Sequence, residues 1–281
     1  MNVMAIELTK QLRRPRGWVT LGLVGAVALV LAVVIGATRA GIPERIGDWG
    51  SVTTNASGFA LPLITINAMV LFLLPLAVAV SAGECVAGDA SWGSLRYLLA
   101  RPVTRARVLG SKAAVAAGFS AANVAVAVIV ALLAGVIVFG WRPLTVVDLQ
   151  HSTPFHLAAA SFGPARTLVL VIATTGFVLC SMASTFGFAL FVSTLTDRSF
   201  SAVASGVGFG LVSRAIDNIP GLHALSPWLP MTDAGTSAWT GFFTQPARWG
   251  PIGHALVVQA VYTAVFLAAA WISFVRSDML H

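Results

Sequence analysis

Gly83–Lys112 reads GECVAGDASWGSLRYLLARPVTRARVLGSK. This stretch holds two of the ten acidic residues, Glu84 and Asp89, and five of the seventeen basic ones, Arg96, Arg101, Arg105, Arg107 and Lys112. Long apolar runs flank it on both sides, and only 10% of the chain is charged. An ordinary soluble domain is about a quarter charged. Charge is therefore kept out of most of this sequence and gathered between two apolar runs.

The runs decide the fold class. Several pass the roughly 18 residues that mark a membrane-spanning helix. The chain reads as an all-α polytopic membrane protein with six transmembrane helices, at about 17–38, 59–82, 106–139, 166–195, 200–213 and 252–274. Pro75 is expected to kink the second span, which a packed membrane helix tolerates. The third run is longer than one crossing needs, so its start projects beyond the bilayer. Residues 39–57 and Trp141–Ala165 read as polar loops. Asp217–Gly250, with four prolines and three tryptophans, reads as a loop whose short helices dip into the interface. Gly206, Gly208 and Gly210 let the fifth span approach a neighbour closely.

The N-terminal end divides into residues 1–16 and a single transmembrane domain over 17–281. In residues 2–14, Met4, Leu8 and Leu12 share one helical face and Glu7, Lys10, Arg13 and Arg14 lie elsewhere, as in a helix lying in the membrane interface. The first run is too long for a signal-peptide core, and Arg39 stands where a cleavage site would fall, so an uncleaved signal-anchor is expected.

Sidedness follows from the basic residues. One side collects eleven: Lys10, Arg13, Arg14, Arg16, the five of the central stretch, Arg198 and Arg276. The other collects Arg39, Arg45, Arg142, Arg166, Arg214 and Arg248. The positive-inside rule places the larger set in the cytoplasm, with both termini, in a cell's inner (plasma) membrane. The net charge of +7 is spread over the ends of apolar runs, not over one soluble face, which excludes a nucleic-acid interface. Cys85 and Cys180 form no CxxC pattern and no disulfide framework.

Within the central stretch, Trp92–Arg101 reads as a short amphipathic helix. Trp92, Leu95 and Leu99 fall on one face, with Arg96 at its boundary and Arg101 on the other side. Pro102 ends it, because the residue before a proline is pushed out of the α region. Thr104 is placed to cap the next helix. Such a segment on the cytoplasmic surface suits docking into a groove of a soluble partner. Glu84, at the exit of the second span, is expected to accept from Arg96, Arg105 or an arginine of the partner.

Catalytic signatures do not appear. There is no phosphate-binding G-x-x-x-x-G-K-[ST] loop, no H-E-x-x-H and no G-x-S-x-G. His151 and His156 do not have metal-ligand spacing. No catalytic, cofactor-binding or metal-binding residues are assigned. Arg214 and Asp217, three apart near the outer end of the fifth span, are spaced to pair, although an Arg214 that snorkels to the interface is the favoured reading. An apolar pathway lined by Phe186, Phe188, Phe191 and Phe200 would suit a lipophilic compound, although the same rings also suit packing.

Gly83–Glu84, Gly88, Leu98–Leu99, Arg101-Pro102-Val103, Arg105 and Lys112, placed after a second span, resemble the permease subunit of ABC-2 type ABC transporters in their six-helix form with a separate ATPase chain. Residues 2–14 look like that family's interfacial elbow helix, and Pro220–Gly250 like its extracellular re-entrant hairpin. Asp89 departs from the pattern, where a threonine is common. The resemblance implies an exporter permease for an amphipathic or lipophilic compound. It pairs with a second permease chain and with a cytoplasmic ATP-binding subunit that holds ATP and Mg. Trp92–Arg101 would be the coupling helix, with Glu84, Trp92, Leu95, Arg96, Leu99, Arg101, Pro102 and Arg105 as the coupling residues. The competing reading is a membrane-embedded enzyme acting on lipid.

Overall fold

The structure is a computed structural model that describes residues 3–37, 52–54, 57–91, 104–153, 156–217, 219, 221–232 and 238–276. The protein is mostly helical. Among the described residues five helices are long and apolar enough to cross a membrane, so this is a membrane-embedded, multi-pass chain. The helices are α1 (Val3–Arg13), α2 (Pro15–Ala37), α3 (Ala60–Val70), α4 (Leu73–Gly83), α5 (Ala87–Ser91), α6 (Arg105–Phe139), α7 (Pro164–Leu195), α8 (Ser199–Asp217) and α9 (Trp249–Arg276). The five candidate spans are α2, α6, α7, α8 and α9.

The second expected span is two helices. α3 and α4 meet at Leu71–Phe72 with a bend of 61°. Pro75 explains the position: it has no N–H to donate to the carbonyl four residues back, Leu71, and its ring crowds that carbonyl. The chain recovers through Phe72, whose N–H reaches the Met69 carbonyl and whose carbonyl accepts from Leu76. α6 has 35 residues. At 1.5 Å per residue it is about 52 Å long, well beyond a hydrocarbon core of about 30 Å.

One end of the bundle carries a small sheet, which amends the all-α expectation. Trp141–Ala165, read as a polar loop, is a hairpin of β2 (Leu144–Thr153) and β3 (His156–Phe162), and β1 (Val52–Thr54) pairs with β2, all antiparallel. The register opposes Leu144 to Phe162 and Val146 to Ala160. These four are buried while Thr145 and Ser161 between them are more open. That is the two-residue alternation of a half-buried sheet.

The other end carries α1, α5, the start of α6 and the α7–α8 turn at Thr196–Arg198. α8 is longer than the expected 200–213. Above it, two 3-10 turns, His223–Trp228 and Ala238–Phe243, fold back onto the bundle. Trp239 and Met231 there are fully buried. Met231 packs on Gly210 of α8, and Gln259 of α9 donates to the Pro230 carbonyl.

Candidate functional site

Asp89 is the centre of the basic end. It sits on the single turn α5, three residues before the segment 92–103, and only 1% of its surface is exposed. Three cations surround its carboxylate. Lys10 Nζ lies 2.6 and 2.7 Å from its two oxygens, and Arg14 Nη2 2.9 Å from Oδ1. Lys112 Nζ bonds to Oδ2. Lys112, itself 2% exposed, also donates to Glu7 Oε1 at 3.2 Å. Two acids and three bases thus join α1, α5 and α6 at one point.

Local sequence explains the geometry. In α1 and the residue that follows it, Glu7, Lys10 and Arg14 recur at three- and four-residue spacing and so share a face. That face points inward. Met4, Leu8 and Leu12 point outward and are exposed. No apolar side chain of α1 is buried among the described residues, so ion pairs and hydrogen bonds carry the attachment of this helix. The polarity is inverted relative to a soluble helix: charge faces protein and the apolar stripe faces out, continuing the exposed Trp18, Val19 and Leu23 of α2.

Burial alone would raise the Asp89 carboxyl, but the Lys112 ammonium and the hydrogen bonds from Lys10 and Lys112 outweigh it and bring it down to about 2. Neighbouring Cys85 shows the opposite balance. Burial pushes its thiol up to about 12, against the pull of Lys112, which leaves it an inert core side chain.

The corner between α4 and α5 is clasped by one hydroxyl from α7. Ser193 Oγ donates to the Gly83 carbonyl at 2.7 Å and accepts from the N–H groups of Val86 and Ala87 at 3.1 and 2.9 Å. Gly83 itself lies against the Val203 backbone of α8, where a Cβ would not fit.

Of the residues singled out in the sequence, Glu84 and Arg105 are described. Glu84 caps the end of α4 and pairs with Arg16 Nη1 at 2.8 Å. The expected donor Arg105 points elsewhere, with Nη1 3.5 Å from the Val275 carbonyl at the end of α9. The reason is positional, since α4 leaves the bundle beside the start of α2. Trp92, Leu95, Arg96, Leu99, Arg101 and Pro102 lie outside the described residues. Arg214 is half-buried on α8, and the side chain of Asp217 lies outside the described set, as does Pro220 of the expected hairpin. The four phenylalanines do not line one path. Phe186 is buried, Phe188 stacks on Phe209, and Phe200 is exposed near the α7–α8 turn. Glu7, Lys10, Arg14, Asp89 and Lys112 were not assigned roles in advance. The available signal was Lys112, a lysine set in an otherwise apolar helix.

No curated protein matches the chain. The family match begins inside α2, so it takes in Glu84, Asp89 and Lys112 but not their partners Glu7, Lys10, Arg14 and Arg16. Residues 26–280 match the model of a family described as "Protein of unknown function (DUF2705)", and the chain belongs to that family.

Proposed function

We propose that this protein is the transmembrane permease subunit of an ATP-binding cassette transporter of the ABC-2 type, driven by a separate cytoplasmic ATPase. In this reading α3 and α4 together make one broken span and the count is six. The basic end faces the cytoplasm with both termini, and the 3-10 turns over α8 are the re-entrant segment. The transported compound is amphipathic or lipophilic.

The observation that carries the reading is the ion-pair frame around residues 92–103. Asp89 stands three residues before this segment and Lys112 nine residues after it, and the two are bonded to each other inside the protein. Lys10 of α1 and Arg14 just after it lock the same point. A segment that receives motion from a soluble partner must be held at both ends, or the motion is lost in the loop. Buried, multiply bonded charge provides that stiffness at a site where a plain loop would need none.

The test is co-expression with ATP-binding-cassette proteins of the same genome, beginning with any encoded beside this gene. Co-purification of the two, with ATP hydrolysis that needs both chains and responds to a compound panel, is the expected result. Leu95→Ala and Arg101→Ala should lower that coupled hydrolysis at least about tenfold while membrane insertion persists, as for central anchors of an interface. An inserted, folded chain that binds no such ATPase would overturn the proposal.

A further inference from the structure

Where α7, α8 and α9 meet at mid-height, the structure holds three polar side chains that each carry an atom with no partner among the described residues. They are Ser181 and Thr185 of α7 and Gln259 of α9, each at most 1% exposed. The unpartnered atoms are Ser181 Oγ, Thr185 Oγ1 and Gln259 Oε1. The usual remedy for a helical hydroxyl is a bond to a carbonyl of the preceding turn. Thr175, on the same helix, makes that bond to Val171 at 2.8 Å. Ser181 and Thr185 do not. Four residues apart, they share a face of α7.

Packing brings the three to one level. α7 and α9 run in the same direction, and Gly187 lies against Thr263 and Phe266. One turn earlier on α9, Gln259 is therefore level with the turn of α7 that carries Ser181. α8 runs the other way, with Gly206 against Ala189 and Phe209 stacked on Phe188. That sets Gly210 near the level of Thr185. The chain at Pro230–Met231 enters at this same level, since Met231 packs on Gly210 and the Pro230 carbonyl takes the Gln259 Nε2 proton. The bond to a carbonyl also fixes the amide orientation, so Gln259 Oε1 is the free acceptor.

Closer to the basic end, one turn beyond Thr185 and two turns beyond Ser181 and Gln259, the same three helices close over an aromatic layer. Phe188 stacks on Phe209 at 4.7 Å, and Phe266 meets both edge-on at 5.0 and 5.5 Å. The two hydroxyls and the amide thus lie on the sheet side of an aromatic seal, with Thr185 the nearest of the three to it.

We propose that Ser181, Thr185 and Gln259 form an ordered-water site inside the bundle, seated on the Phe188–Phe209–Phe266 layer. Buried polar groups that lack protein partners cost stability unless water satisfies them, and a buried water needs two to four polar partners. Two hydroxyls able to donate or accept, plus one carbonyl acceptor, meet that requirement. Charged ligands do not suit the site, because none of the three carries charge. The site is independent of the transport reading, since it joins helices of one chain away from the basic end.

X-ray radiolytic footprinting of the unmodified protein tests this, because radicals form from bound water in place. Met231, fully buried, is the reporter, and exposed Met4 is the reference. Oxidation of Met231 within about tenfold of Met4 is expected if water sits beside it. Slower oxidation overturns the proposal. The variants Thr185→Val and Gln259→Leu give a second reading. Each should lower the melting temperature by about 2–4 °C, and the double variant by less than the sum because one water network is shared. A melting temperature that is unchanged or raised in both single variants marks a dry site and also overturns it.

Discussion

At the residue scale the protein turns on Asp89. A carboxylate that is 1% exposed and bonded to Lys10, Arg14 and Lys112 is stable only while all its partners are held. Asp89→Asn keeps the shape but leaves Lys112 buried with Glu7 alone, and breaking a buried pair typically costs about 3 kcal/mol or more. Thermal unfolding in detergent should show that loss at neutral pH. The pH dependence has a definite sign. The carboxyl is depressed from 3.8 to about 2 in the fold, so its contribution is complete above about pH 4 and is lost as pH falls through 2. The gap in melting temperature between wild type and Asp89→Asn should therefore be constant from pH 8 to 5 and close below 4. A gap that stays constant into acid would mean Asp89 is not the titrating group. None of these pairings was legible beforehand. Asp89 and Lys10 are 79 residues apart, and the charge concentration in Gly83–Lys112 drew attention to local partners. A helical wheel of residues 2–14 places Glu7, Lys10 and Arg14 together but does not say whether that face meets water or protein.

At the element scale the helices could be read and their irregularities only in part. The apolar runs located α2, α6, α7 and α9 closely because length and hydropathy are local properties. Pro75 announced a kink, although hydrogen-bond loss at the carbonyl four residues back moved the break to Leu71–Phe72. The hairpin was obscured because Asp148, His151 and His156 made the stretch look solvated, while the alternation in Leu144–Val146 and Ala160–Phe162 is short. Contacts between distant glycines were not legible at all. Gly135 of α6 packs against the Gly58 backbone at the start of α3, where a Cβ would overlap the Gly58 carbonyl. Gly118, on the same helix, has open space around it. Gly135→Ala should cost about 2 kcal/mol or more through forced separation of α3 and α6. Gly118→Ala should be neutral or stabilising by about 0.5–1 kcal/mol through helix propensity alone. Equal effects in the two variants, measured by thermal unfolding, would mean that α3 and α6 do not touch as described.

At the scale of the whole molecule, the two ends differ in chemistry. One gathers Lys10, Arg13, Arg14, Arg16, Arg105, Arg107, Lys112 and Arg198, and the other is closed by a small sheet and two 3-10 turns. A charge asymmetry of this kind orients a multi-pass chain, because Lys and Arg near span ends are retained on the cytoplasmic side. The buried pairs do not remove the bias: Arg13 and Arg107 are exposed and have no acidic partner among the described residues. Three exposed positions report the outcome. Arg13 lies on α1, Arg198 in the α7–α8 turn, and Pro143 before β2 at the sheet end. In a background with Cys85→Ala and Cys180→Ala, single variants Arg13→Cys and Arg198→Cys should escape a membrane-impermeant maleimide in intact cells and react after permeabilisation. Pro143→Cys should react without permeabilisation. Reaction of Arg13→Cys and Arg198→Cys from opposite sides would break the helix count, since α2, the broken α3–α4 pair, α6 and α7 must make an even number of crossings between them. Reaction of both from outside would keep the count and reverse the orientation, and an ATPase in the cytoplasm could then not reach residues 92–103. The labelling pattern thus tests the architecture and the proposed partner separately.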